Sequence, residues 1–190
     1  MNLTQNKKIA QILFDSFHGN KSANFTVKQD SKRDQRFTTL MEYSIFQGEN
    51  FGKLWLSDDE KACAIVIDPT KKKTTWKGIL WDLKLIFKCV GLRKVSSVMK
   101  REKKVKETHP NENTFLHLWY LGVDPQEQGK GKGTALLKAV ISEAKNQGKS
   151  ICLETSNPRN FPFYEANGFK ETAVIEDFGF PIRAYKYSNK

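Results

Sequence analysis

Residues 115–133 read FLHLWYLGVDPQEQGKGKG, and the run TALLKAVISEAKNQ carries on from them to Gly148. Phe115 to Val123 is an apolar, strand-forming stretch, and Asp124-Pro125 turns the chain away from it. After the glycines, Leu136, Leu137, Val140, Ile141 and Ala144 recur on one face of a helix that Gly148 stops. The segment therefore predicts a strand, a glycine loop and a helix. At such a junction free backbone N–H groups and the positive helix end converge, and glycine lets an anion approach without a Cβ in the way. Spacing excludes two kinds of phosphate loop. A Walker A loop needs Lys followed by Ser or Thr, whereas Lys132 precedes Gly133. A dinucleotide loop needs a third Gly or Ala, but Thr134 or Leu136 falls there. What fits is Q-x-x-G-x-G, formed by Gln128, Gly131 and Gly133.

Downstream, Ile151 to Thr155 predicts a strand, Asn160 to Asn167 a short helix closed by Gly168, and Phe169–Ile175 and Ile182–Tyr187 two more strands. Upstream, Ile9, Ile12, Leu13 and Phe17 give a first helix over Gln5 to Phe17, with Thr4 as its N-cap and His18-Gly19-Asn20 as its stop. A second helix spans Asp34 to Phe46 and ends near Gly48. Gly52–Leu56 and Ala62–Ile67 form a hairpin around the turn Ser57-Asp58-Asp59-Glu60.

A length of 190 residues, with 38% hydrophobic and 12% aromatic residues, argues for one domain over 1–190 and against intrinsic disorder. The formal charge of +11 is local: residues 71–106 hold thirteen Lys and Arg against Asp82 and Glu102. Ile79, Leu80, Leu83, Ile86, Phe87 and Val90 share a face there, which predicts one or two amphipathic helices broken at Gly91. Lys100 to Lys106 reads as a flexible lysine-rich turn, and His109-Pro110-Asn111 ends any helix. This basic segment suits a solvated face, an attraction for anions, or nucleic acid or an anionic membrane, although no nucleic-acid-reading motif accompanies it. No apolar run is long enough to span a bilayer, because Asp82, Lys84 and Lys88 interrupt the best one. The polar N-terminus lacks a secretory signal, so a cytoplasmic location is expected. Cys63, Cys89 and Cys152 are odd in number and far apart, indicating neither a disulfide framework nor a metal site.

The stretch LGVDPQEQGKGKGTALL resembles the acetyl-coenzyme A signature of the GNAT superfamily of N-acetyltransferases, and NPRNFPFYEANGF is similar to that family's second element. The resemblance implies an α/β (α+β) fold: two N-terminal helices, a mixed, strongly twisted central sheet flanked by helices, and acetyl-CoA in a V-shaped opening between adjacent strands. The helices between Asp68 and His109 look like those of the puromycin N-acetyltransferase-like branch. The implied activity moves an acetyl group from acetyl-CoA to a primary amine of a small-molecule acceptor by direct attack, in a monomer or homodimer without a metal. The alternative is a non-catalytic coenzyme-A-binding or nucleic-acid-interacting module.

The same resemblance implies site residues. The strand from Leu121 through Gly122 to Val123 would meet the thioester and the pantetheine. The loop amides of Gln128, Gly129, Lys130, Gly131, Lys132, Gly133 and Thr134 would hold the pyrophosphate. Asn157 would touch the pantetheine arm, with Phe163 nearby, and Asn160 either does the same or caps a helix. Tyr164 would protonate the departing thiolate, or else its ring lies in the core. His117 is a candidate base, since an imidazole titrates near neutrality, or a hydrogen-bonded sheet histidine. Glu154 is a second candidate base, and Cys152 reads as core. Trp76, Trp81, Trp119 and Phe180 are aromatic candidates for an acceptor pocket or for the core.

Overall fold

The computed structural model describes residues 2–110 and 114–189, so Met1 and Asn111 lie outside the described residues. Three helices open the chain: α1 (Leu3–Phe17), α2 (Lys21–Thr26) and α3 (Arg33–Phe51). The hairpin β1 (Gly52–Leu56) and β2 (Ala62–Ile67) follows, then α4 (Trp76–Leu85), a wide turn over Ile86–Val90, and α5 (Val95–Glu107). The last part is β3 (Phe115–Val123), α6 (Lys132–Asn146), β4 (Ser150–Thr155), α7 (Phe161–Ala166), β5 (Lys170–Ile175) and β6 (Ile182–Tyr187).

Where expectation and structure differ, local causes are visible. The N-cap of α1 is Asn2, not Thr4: its side chain accepts from Gln5 N at 2.8 Å, and the Gln5 side chain returns a bond to Asn2 N. Three helices replace the two expected at the N-terminus, because Asn20 is a cap as well as a stop and accepts from Ala23 N at 3.0 Å. Gly48 does not end α3. A Cβ there would lie 2.4 Å from Leu54 Cδ2, so this glycine lets the helix lie close on the β1–β2 hairpin. The basic segment forms two helices with a break at Gly91, as expected, but Lys100 to Lys106 is helical within α5 rather than a turn.

The strands form one mixed sheet in the order β1-β2-β3-β4-β6-β5, antiparallel throughout except for β3 beside β4. Period-two alternation gives β2 two buried faces. Cys63, Ile65 and Ile67 join Ile9, Leu13, Phe37 and Met41 beneath the N-terminal helices. Ala62, Ala64 and Val66 join Leu137, Val140 and Leu153 beneath α6. Each fully buried Leu or Ile contributes about 1.5–3 kcal/mol.

Only Phe115–Ser150, Leu116–Ile151 and His117–Cys152 pair across β3 and β4. Beyond His117 the strands part, so the edge of β3 from Leu118 to Val123 that faces β4 has no strand partner among the described residues. On the other side of β3, Ile65 pairs with Tyr120 and Val66 with Leu118, which leaves Trp119 as an extra residue. A bulge of this kind bends its strand, and here it lies where the two strands diverge.

Candidate active site

The diverging strands open onto a cavity of about 480 Å³, walled by α1 to α3 and α5 on one side and by β3, β4 and α7 on the other. At its floor, three side chains far apart in sequence meet. Glu154 of β4 is bonded through Oε2 to His117 Nε2 at 2.9 Å, and through Oε1 to His109 Nε2 at 2.8 Å. His109 stands just beyond α5, and its ring lies 4.7 Å from that of His117. Burial alone would raise the Glu154 carboxyl, but the two imidazoles outweigh it and hold the group below the ordinary carboxylate range. The three donor atoms lie within 4.8 Å of one another, a separation at which a cation could also be held. Hydrogen bonds already use both carboxylate oxygens.

Tyr164 projects from α7 into the same cavity. Its ring packs against Phe169 and Phe163, and its hydroxyl has no hydrogen-bond partner among the described residues. Burial pushes the phenol well above its usual value, so it stays protonated. Its ring therefore belongs to the core, as one of the two readings expects, and the same residue lines the cavity. Asn160 also lines the cavity and donates from Nδ2 to Thr155 Oγ1 at 3.3 Å. It makes no capping bond, against the alternative expectation. Asn157 is the residue that caps, accepting from Arg159 N at 3.2 Å. Ser156 Oγ, at the end of β4, is buried and has no partner among the described residues.

The glycine loop lies at the outer end of the opening. Gly129 and Gly131 have φ of 79° and 80°, a left-handed backbone that other residues resist, and a Cβ at either would meet nothing within 4 Å. Gly131 is the N-cap of α6, which leaves the first-turn amides of Lys132, Gly133 and Thr134 without helical acceptors. Phe163 closes one side, 3.8 Å from where a Gly133 Cβ would stand. The lysine side chains are already engaged. Lys130 pairs with Glu127 at 3.1 Å, and Lys132 pairs with Asp59 and with Glu127. The Gln128 side chain reaches back to the Val123 carbonyl at 3.4 Å. Positive φ, open space and free helix-start amides fit a bound pyrophosphate, and the unpaired edge at Leu121 and Val123 fits an amide-bearing arm. Gly122 faces the opposite way, tight against Ser16 and Leu13.

Other candidates separate cleanly. Cys152 is core, and burial pushes its thiol up to about 12. Trp119 lines the cavity, Trp81 stacks on Phe46, Phe180 packs near Phe25, and Trp76 is 74% exposed. In the sequence, His109 marks only the end of a helix. Its place beside Glu154, 45 residues away, is tertiary and left no local signal.

Comparison with known proteins agrees with this geometry. The acetyltransferase (GNAT) domain family matches residues 97–171. An uncharacterised N-acetyltransferase of Schizosaccharomyces pombe is 25% identical over 174 residues, covering 86% of this chain and 70% of its own. A solved structure described as histone acetyltransferase HPA2 and related acetyltransferase, from Corynebacterium glutamicum, superposes with a TM-score of 0.69 at 18% identity, covering 100% of this chain and 94% of the other. One described as a putative GNAT-family acetyltransferase, from Desulfovibrio desulfuricans, gives 0.57 at 15% identity, covering 100% and 95%. No helix among the described residues is long and apolar enough to cross a membrane. The glycine loop that starts α6 beside the two parting parallel strands falls within residues 97–171, the part of the chain that matches the GNAT acetyltransferase domain, and the whole chain shares the fold of solved GNAT acetyltransferases.

Proposed function

We propose that this protein transfers an acetyl group from acetyl-CoA to the primary amine of a small-molecule acceptor, by direct attack within a ternary complex. The observation that carries this reading is that a hydrogen-bonded His117–Glu154 pair and the Tyr164 hydroxyl face one cavity, entered where β3 and β4 part. Acetyl-CoA supplies the activated acyl carbon. The amides of Gln128 to Thr134 bind its pyrophosphate, and the free edge of β3 at Leu121 and Val123 orients the arm that carries the thioester. A backbone N–H aimed at the developing oxyanion is worth about 2.7–4 kcal/mol in other enzymes.

An acceptor amine must lose a proton to attack. With Nε2–H donating to Glu154, His117 keeps its lone pair on Nδ1, and that atom takes the proton. Glu154 positions the ring and stabilises the imidazolium that forms. Tyr164 gives its hydroxyl proton to the departing sulfur, which its burial suits, because the phenol remains protonated.

The cavity size supports a small acceptor, since small-molecule sites span about 300–1,000 Å³. Phe17, Tyr43 and Trp119 provide apolar walls, while Lys72, Arg101 and Lys106 outnumber Glu102 along the α5 side. That balance favours an amine carrying an anionic group away from its reacting end.

Calorimetric titration with acetyl-CoA, followed by a thiol-release assay over amines with and without a carboxylate, tests the proposal. Saturable acetyl-CoA binding and turnover that favours the carboxylated amines are expected. Binding without turnover on any amine would instead identify a coenzyme-binding module, and absence of binding would remove the coenzyme site.

A further inference from the structure

Seven of the nine large apolar side chains left exposed among the described residues fall between Trp76 and Met99, inside the segment that also carries the whole excess of positive charge. Five of them form a stripe. Trp76, Ile79, Leu80, Leu83 and Phe87 are 74%, 39%, 51%, 45% and 57% exposed. At 100° per residue they fall within roughly 100° of arc, the width of a face built to be covered. The opposite side of α4 is satisfied: Gly78 is buried, and Trp81 stacks on Phe46 at 5.3 Å. Helix packing therefore accounts for one side of α4 and leaves the stripe without a function in the monomer.

The charges beside the stripe identify its cover. Lys77, Lys84 and Lys88 share one flank, all exposed. Lys84 is partly engaged with Glu42 at 2.9 Å, whereas Lys77 and Lys88 have no ion pair among the described residues. The one acid in α4, Asp82, is bonded by the Tyr43 hydroxyl at 2.8 Å on the side turned to α3. Lys73 precedes the helix, and Arg93 and Lys100 continue the positive surface past Gly91; all three are exposed. A second copy of this chain would bring lysine against lysine. A polyanion such as RNA would meet the lysines but leave Trp76, Leu80 and Phe87 in water. A surface that is negative at its head groups and apolar just beneath matches both features.

We propose that α4 is an interfacial helix, by which this protein docks on anionic lipid bilayers with the Trp76–Phe87 stripe inserted at the head-group boundary. The catalytic cavity is walled by other elements, apart from Lys72 just before the helix and Leu85 at its end, so docking and acetyl transfer are separable.

The test is cosedimentation of the 190-residue protein with vesicles of phosphatidylcholine alone or mixed with phosphatidylserine, with acetyl-CoA affinity of each variant as the control for folding. Binding is expected only to the phosphatidylserine vesicles. Lys77→Gln and Lys88→Gln should each lower the partition coefficient about fivefold, from the roughly 1 kcal/mol that each basic residue contributes near such a surface. Leu80→Gln combined with Leu83→Gln should abolish binding while acetyl-CoA affinity is unchanged. Failure to sediment with the phosphatidylserine vesicles would overturn the proposal, as would equal binding to both vesicle types. So would a dimer in sedimentation velocity that the double glutamine variant dissociates, or RNA binding that this variant retains in place of lipid binding.

Discussion

Glu154 bridges two histidines across the point where the parallel strands part: its Oε2 lies 2.9 Å from His117 Nε2, and its Oε1 lies 2.8 Å from His109 Nε2. The carboxylate leaves each ring one nitrogen with no hydrogen-bond partner among the described residues, and only His117 stands on β3, the strand whose open edge we propose receives the coenzyme arm. His117→Ala is expected to lower kcat/KM by about 10²- to 10⁴-fold and to remove the acidic limb of its pH profile. Glu154→Gln keeps the size of the side chain and one acceptor oxygen, so it should lower kcat less and move that limb. An acidic limb unchanged in both variants would exclude the pair as the base.

Tyr164 separates chemistry from binding. Its ring sits among Phe163, Phe169 and Tyr185, so Tyr164→Phe preserves packing and deletes only the oxygen. Turnover should fall by about 10²- to 10⁴-fold while the acetyl-CoA dissociation constant stays the same. Because burial raises the phenol, the wild-type enzyme should show no loss of activity from tyrosine ionisation below pH 10. A variant with full turnover would make Tyr164 a packing residue.

The glycine loop predicts the reverse pattern. Gly131→Ala forces a Cβ into a left-handed backbone, at about 1–2 kcal/mol, and shifts the first amides of α6. Acetyl-CoA should bind about tenfold or more weakly, with kcat at saturation little changed. Lys130→Ala should have a much smaller effect, because that side chain is paired with Glu127 and the proposed anion contacts come from the backbone.

These contrasts follow the division between what the chain writes locally and what it does not. The strand, loop and helix from Phe115 to Gly148 were legible because apolar runs and glycines punctuate them within a few residues. The hairpin at 52–67 and the strand at 182–187 were legible for the same reason. Gly48 misled because a glycine that permits close packing on Leu54 looks, in sequence, like one that ends a helix. Asn20 misled because one residue both stops α1 and caps α2. The bulge at Trp119 and the place of His109 depend on partners on other elements, so neither residue's sequence neighbours announced them.

One structural ion pair ties the end of β2 to the turn between α6 and β4 and gives a pH prediction with a definite sign. Asp68, at the end of β2, is 5% exposed and accepts from Lys149 Nζ at 2.7 Å, from Thr70 Oγ1 at 2.7 Å and from Thr70 N at 3.1 Å. Burial by itself would raise the carboxyl, but Lys149 and the Thr70 bonds outweigh it, and the group titrates below its ordinary value. The stability it contributes is therefore present above the unfolded value, about pH 4, and is lost as pH falls through the lower folded value. Asp68→Ala leaves the Lys149 ammonium, 18% exposed, without its main partner. Complete burial would make that loss about 3–5 kcal/mol; with water still able to reach Lys149, about 2 kcal/mol is expected, or roughly 4–8 °C in Tm. Thermal unfolding at pH 7 and again near pH 3 checks both the size and the sign, since the gap between wild type and Asp68→Ala should shrink in acid. A gap that stays constant or widens as the pH falls would show that Asp68 stabilises the fold by packing and hydrogen bonding rather than by its charge.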